Sequence, residues 1–328
     1  MIWPFNKTET RVKSSDPYIA EFFGQRAGIG GHVDPQRASG HAVAHRCISV
    51  IAESLASVPL PLYRRTADDG REAATDHPLY NVLHDSMNPT LTAFAGRELL
   101  IAAVLTNGNA YAKIERNGRG QVTALHPLHY VAVERLASGR LRYRAGSDVL
   151  LQEEVLHLRY RTRDGVVGMS PIQIAAATFG LALAQQAEAG AQAVNAFRPA
   201  GALVFPESLG GEAKAGLLAN FRQKFIGAMK ANELMVLDGG VKWESISIPN
   251  KDAEFLESRK LSNLDVCRVY GVPPTVAGIV DMATYSNVDG ESRALVTRCL
   301  APMAKRIEQA MTVALLTPES RKTFFIEH

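Results

Sequence analysis

Histidine and cysteine are the side chains best suited to hold a metal, and His41 and His45 stand one helical turn apart with Cys47 close behind. Cys47, however, falls on an apolar stripe with Ala44, Ile48, Ile51 and Leu55, while His41 lies a full turn off it. The thiol reads as core, and no metal site is expected. His126 and His129 flank Pro127 in a strand-like region with no Asp or Glu at a recognisable spacing. Catalysis needs a nucleophile, a base and an orienting group in mutual reach. GxSxG, HExxH and GxxxxGK[ST] are all absent, and the last absence removes a P-loop ATPase. The glycines of GQRAGIGG (24–31) do not complete a GxGxxG, and Asp34-Pro35 follows where a helix should open. That stretch reads as a mobile arm. No catalytic residue, cofactor or metal is expected, and the chain is not read as an enzyme.

Cations are the remaining chemistry. Lys251, Arg259, Lys260 and Arg268 lie along one helical segment and offer limited phosphate attraction, with Asp252, Glu257 and Asp265 as competing salt-bridge partners. Arg222, Lys224 and Lys230 sit around the polar side of an amphipathic segment, either as a solvated face or as a surface for DNA or an acidic partner. The 328 residues carry a net charge of only +3, which gives no strong general attraction to nucleic acid. No apolar run approaches the ~18 residues needed to span a bilayer, and the N-terminus lacks the apolar core of a signal peptide. Cys47, Cys267 and Cys299 are too scattered for a disulfide framework, so a reducing, cytoplasmic setting is the default.

The elements that must position these residues follow from pattern. Ser39–Ser57 is an apolar-striped helix ended by Pro59 and Pro61, and PLYRR (61–65) is a strand. Asp76 is placed to cap a short helix over HPLYNVLHD, and Thr90 to cap LTAFAGRELLIAAVL, which ends at Asn107-Gly108. Short alternating segments from NAYAKIER to EVLHLRYR, punctuated by Gly and Asn turns, predict a small antiparallel sheet. Ser170-Pro171 opens a long alanine-rich helix to Phe197, about 40 Å at 1.5 Å per residue. Residues 199–250 form a small α/β module. A second long helix, with Asp252, Glu254 and Glu257 in its first turn, stops at Gly271, Pro273 and Pro274. The loop that follows is small-residue-rich and nearly uncharged. Asn287 or Asp289 is placed to cap a last helix carrying Val296, Leu300, Met303, Ile307 and Met311 on one face, with a kink at Pro302. KTFFIEH begins a strand. The fold class is α+β.

The run FLESRKLSNLDVCRVYGVPPTVAG, the Tyr-Ser-Asn loop and LAPMAKRIEQAM carry a resemblance, joined by DHPLYNVLHDSMNP, TNGNAYAKIERNGRGQVTALHPL, DGVVGMSPIQIA and the F-R-P-A-G-A-L strand entry. In order and spacing, from about Asp76 to Leu316, they resemble the HK97-type portal proteins of tailed bacteriophages, a type shared with gene transfer agents. The resemblance implies a portal fold. Residues 1–37 would be a flexible arm, 38–169 the wing, 170–198 the first stem helix and 199–250 the clip. Residues 251–271 would be the second stem helix, 272–290 the tunnel loop, and 291–328 a long helix leading towards a missing or truncated crown. It further implies a ring-shaped homo-oligomer, typically a dodecamer, at one capsid vertex of a virion assembled in the host cytoplasm. Such a ring passes double-stranded DNA during packaging and ejection. Its partners would be the terminase large subunit, the major capsid protein and a head–tail adaptor, with no membrane. On this mapping Thr284, Tyr285, Ser286 and Asn287 belong to the tunnel loop, Lys251, Arg259, Lys260 and Arg268 lie near DNA in the stem, and Arg222, Lys224 and Lys230 mark a terminase or adaptor surface on the clip. A non-ring adaptor module is the alternative, and an enzyme with an unrecognised site in the wing a weaker one.

Overall fold

The computed structural model describes residues 25–26, 32–68, 70–195, 201–204, 242–245, 251–279 and 285–328. The described elements begin with strands β1 (Gln25–Arg26) and β2 (His32–Val33) and helices α1 (Pro35–Ser39) and α2 (Ala42–Ser57). Strands β3 (Leu62–Arg65) and β4 (Arg71–Ala73), helix α3 (Pro78–His84), strands β5 (Ser86–Asn88) and β6 (Leu91–Thr92) and helix α4 (Ala93–Asn107) follow. Next come β7 (Asn109–Arg116), β8 (Val122–Leu128), β9 (Val131–Arg135), β10 (Leu141–Ala145), β11 (Asp148–Leu151), β12 (Val155–Arg159), β13 (Arg161–Thr162) and β14 (Gly168–Met169). The chain continues through α5 (Pro171–Ile174), α6 (Ala176–Asn195), β15 (Gly201–Val204), β16 (Lys242–Ser245) and α7 (Lys251–Tyr270). It ends with α8 (Tyr285–Ala294), a π-helical turn (Leu295–Leu300), α9 (Ala301–Leu315), α10 (Ser320–Thr323) and β17 (Phe324–Ile326).

Two compact units divide the chain, one of residues 1–181 and 262–328, the other of 182–261. In the first, β12, β7 and β8 form an antiparallel sheet, and β11, β10 and β9 another. Their shared apolar filling includes Tyr111, Val131, Leu141, Tyr143, Leu150 and Val155. The alternation read from sequence is real: Tyr143 faces inward between half-exposed Arg142 and exposed Arg144. Strand β17 adds to β3 and β4, so the C-terminal segment completes a sheet begun more than 250 residues earlier. Phe325 stacks on Tyr63, and Arg65 lies over the Phe325 ring.

Helix α2 packs on α4 through the expected stripe, with Ala44, Cys47, Ile48, Ile51 and Leu55 all buried. Arg97 on α4 is buried and donates to the carbonyls of Ala56 and Val58 just where Pro59 stops α2. It thus satisfies oxygens that no further helical turn meets. The expected arm is ordered at its C-terminal end, where Val33 and Pro35 are buried and Asp34 caps α1.

Several caps differ from expectation. Helix α3 is capped by His77, whose Nδ1 accepts from the Leu79 N–H. Asp76 instead accepts from Arg64 Nη2 with both carboxylate oxygens, so its charge meets a full cation rather than a backbone N–H. Thr92, not Thr90, caps α4, because Asn88 Oδ1 engages Thr90 in a tight turn. The first long helix breaks at Ala175 (ψ 35°) into α5 and α6. Ile172 and Phe179, both fully buried, fix the two segments independently, and tertiary anchoring overrides alanine's propensity.

Pro302 sits in the first turn of α9 directly after the π-helical turn. Proline lacks an N–H and its ring crowds the carbonyl four residues back. The widened turn, with the Ala301 N–H reaching Val296 O, makes room for it. The expected kink appears as this wider turn.

In the second unit β15 and β16 pair antiparallel, from Gly201 opposite Ser245 to Val204 opposite Lys242. The helix expected between them, with Arg222, Lys224 and Lys230, lies outside the described residues.

Candidate channel and interface surfaces

In the first unit Phe179 of α6 meets Tyr270 of α7 edge-on at 6.3 Å. In the second unit Gln185 Nε2 of α6 donates to Ser258 Oγ of α7 at 2.8 Å.

The start of α5 is held by a buried polar latch. Asn109 opens β7 and is 3% exposed. Its Oδ1 accepts from the Gly168 N–H at 2.6 Å, and its Nδ2 donates to Gly168 O at 2.8 Å. That pair of contacts, one to a donor and one to an acceptor of the same residue, fixes the amide's orientation. Oδ1 also faces His157 Nε2 at 2.9 Å, so Nε2 carries the imidazole proton and Nδ1 accepts from Tyr143 OH and Arg159 Nε. Burial, reinforced by the Arg159 charge, pushes the His157 pKa well down and keeps the ring neutral. Tyr160 N donates to Gly108 O, and Ser170 Oγ donates to Thr106 O while capping α5. Gly108, at φ 81°, ends α4 in the left-handed region. A Cβ on Gly168 would lie 2.1 Å from Gly108 O, so only glycine permits this approach. The segments TNGNAYAKIER and DGVVGMSPIQIA are therefore two halves of one joint.

The expected stem cations separate. Arg259 and Lys260 are exposed on α7 in the second unit, where Lys251 opens the helix with its side chain outside the described residues. Arg268 is in the first unit and pairs with Asp265 at 2.5 Å, the competing reading. Thr284 lies outside the described residues. Tyr285, Ser286 and Asn287 do not form loop: α8 starts at Tyr285 and takes them into its first turn. Asn287 and Asp289 are thus helical residues rather than caps. Short polar residues are favourable at either place, so composition alone set the boundary too late. Gly271 caps α7 at φ 70°, with Val272 N bonded to Cys267 O.

Sequence reasoning missed three features. Asn109 and His157 looked like ordinary strand residues, and their only sequence signal was the Asn-Gly-Asn run after α4. The cysteines, scattered along the chain, converge: Cys47 and Cys267 are buried with their thiols hydrogen-bonded, and Cys299 Sγ donates to Tyr270 O. Likewise His126, read as partnerless, meets Glu115 at 2.8 Å across β7 and β8. Among the described residues no group of three or more metal-ligating side chains occurs, and no helix is long and apolar enough to cross a membrane.

The mixed α+β fold, with a long helix at each sequence boundary between the two units, is that of a portal protein. The phage portal protein family model matches residues 42–328, and the chain belongs to that family. It is 27% identical to the portal protein of Enterobacteria phage HK97 over its whole length and 77% of that protein. It is 25% identical to the probable portal protein of Streptomyces phage phiC31, over 96% of this chain and 73% of the phage protein. A chain in the neck of an empty gene transfer agent particle, computed with C6 symmetry, superposes with a TM-score of 0.66 at 25% identity, covering 90% of this chain and 84% of that one. An HK97-family phage portal protein from Corynebacterium diphtheriae shares the fold, with a TM-score of 0.63 at 17% identity over 89% and 93% of the two chains. Portal proteins are structural components of phage and gene transfer agent particles rather than enzymes.

Proposed function

We propose that this chain assembles into a ring-shaped homo-oligomer, a dodecamer, at one vertex of a capsid, and that the ring's channel passes double-stranded DNA during packaging and ejection. The observation that carries this reading is the likeness of 90% of the chain to a subunit of a symmetric particle neck. A related neck of the same fold was computed with C12 symmetry. Head-to-tail contacts repeated by rotation close such a ring. Residues 199–250 would act as the clip that docks the terminase large subunit and later a head–tail adaptor, with Arg222, Lys224 and Lys230 on that surface. The segment between α7 and α8 would be the tunnel loop, and the body would seat against the major capsid protein.

Negative-stain electron microscopy of the purified protein, with sedimentation mass, tests the reading. Rings with a central hole wide enough for duplex DNA and a mass that is a multiple of 35.6 kDa are expected. Particles of 35.6 kDa at every concentration, alone and with capsid protein present, would overturn ring assembly and leave a non-ring adaptor.

A further inference from the structure

The first unit holds a cavity of about 210 Å³, bounded by the last turn of α7, the π-helical turn, the start of α9 and the link from β12 to β13. Leu105 and Met303 give it an apolar wall. Its charged lining is entirely arginine: Arg161, Arg268, Arg298 and Arg306, with no carboxylate among the lining residues. Asp265 neutralises Arg268 from outside that lining. Arg161 and Arg298 make no ion pair with any described residue. Arg306 lies over the Tyr160 ring at 5.2 Å, and its Nη1 is buried without a hydrogen-bond acceptor.

Arg161 and Arg298 are exposed, so water screens their mutual repulsion. The cost at this place is the buried one, because a buried donor left unpaired is unfavourable and rare in native folds. An anion accepting from Arg306 relieves it, and the neighbouring exposed arginines favour its charge. The π-helical turn belongs to the same arrangement, since both Arg298 and Cys299 come from it and line the cavity. Such turns frequently mark functional sites. The negative end of the α7 dipole opposes an anion, yet its carbonyls are largely met. Gly271 N–H reaches Arg268 O, Val272 N–H reaches Cys267 O, and Cys299 Sγ donates to Tyr270 O. Planar guanidinium forks match tetrahedral oxyanions with paired hydrogen bonds. A cavity this small and concave admits a compact ion or a terminal phosphate, whereas the phosphates of a duplex ride on the outside of a rod.

We propose that the juxtaposition of Arg298 and Arg306, backed by Arg161, forms a binding site for a small phosphate-class oxyanion, either inorganic phosphate or the terminal phosphate of a nucleotide. The bound ion ties the end of α7 to the π-helical turn and to α9, and so braces the point where the chain enters the segment after Gly271. This site does not depend on ring assembly.

Thermal unfolding and calorimetric titration of the full chain with inorganic phosphate, against chloride at matched ionic strength, test it. A saturable rise in Tm is expected, because a ligand that binds only the folded state stabilises it. R298Q and R306Q should each weaken phosphate binding about tenfold or more, the loss of one charge-assisted contact. R119Q, in an exposed turn, should leave binding unchanged. Tighter binding of a nucleoside 5′-monophosphate with the same arginine dependence would assign the ion to a nucleotide, and equal or weaker binding to phosphate itself. If R306Q does not fold, R298Q and R298K carry the test, and R298K should also bind more weakly because it lacks the fork. The proposal is overturned if phosphate acts no differently from chloride, if the arginine variants bind it as well as the parent does, or if glutamate matches phosphate at equal concentration. That last result would point to a protein carboxylate as the occupant.

Discussion

Asn109 shows how much one side chain can hold. It satisfies both backbone polar groups of Gly168 and the proton of His157, all buried. Asn109→Ala strands all three partners, and at about 1–3 kcal/mol for each unsatisfied buried group the loss should reach about 3 kcal/mol or more. A urea unfolding midpoint that moves by less than a typical surface substitution would contradict the latch. His157 gives the same region a pH dependence. Its folded pKa lies well below the ordinary 6.5, because burial and Arg159 disfavour the charged ring. The unfolded chain therefore takes up the extra proton first as pH falls through about 6.5. Stability from the neutral ring is complete above that pH and drains away below it, by up to about 1.4 kcal/mol per pH unit. Between pH 7 and pH 5 the urea midpoint of the parent should fall more steeply than that of His157→Gln.

At the scale of elements, the joint between the end of α4 and the start of α5 depends on backbone contact. Gly168→Ala would place a Cβ 2.1 Å from Gly108 O and 2.8 Å from Tyr160 N, and neither backbone atom can swing aside. A loss of about 2 kcal/mol or more is expected, as for overpacked cores. Gly118→Ala, with nothing within 4 Å, should stay within about 0.5 kcal/mol of the parent in the same unfolding measurement. The sequence carries the helices and strands here plainly, since apolar periodicity and Gly or Pro punctuation are local. It does not carry the close approach of Gly108 and Gly168, because two glycines sixty residues apart bear no mutual signal. The break at Ala175 was hidden for a related reason: alanine propensity is local, whereas the anchoring of Ile172 and Phe179 is tertiary. The caps failed by competition, with Asp76 drawn to Arg64 and Thr90 to Asn88. The order of short motifs along the chain was more legible than any one boundary, because it reflects the whole assembly of elements.

At the scale of the whole molecule, if the proposed ring forms, a net charge of +3 over 328 residues sets what its channel can do. Duplex DNA that must slide cannot be gripped, because each phosphate neutralised adds about 0.9 to the slope of log affinity against log salt. On the proposed reading, α7 offers limited attraction rather than a clamp. Arg268 is already neutralised by Asp265, while Arg259 is exposed and makes no ion pair with any described residue. Binding of short duplexes, measured by anisotropy across a salt series, should separate the two. R259Q is expected to lower the slope by about 1, the signature of one lost phosphate contact, and to weaken binding equally for all sequences. R268Q is expected to leave the slope unchanged, since the pair it breaks is internal. A steep slope that R259Q does not alter would place the DNA-facing charge on other residues. A slope lowered by R268Q but not by R259Q would reverse the assignment and make the last turn of α7 the part of the helix that feels the phosphate backbone.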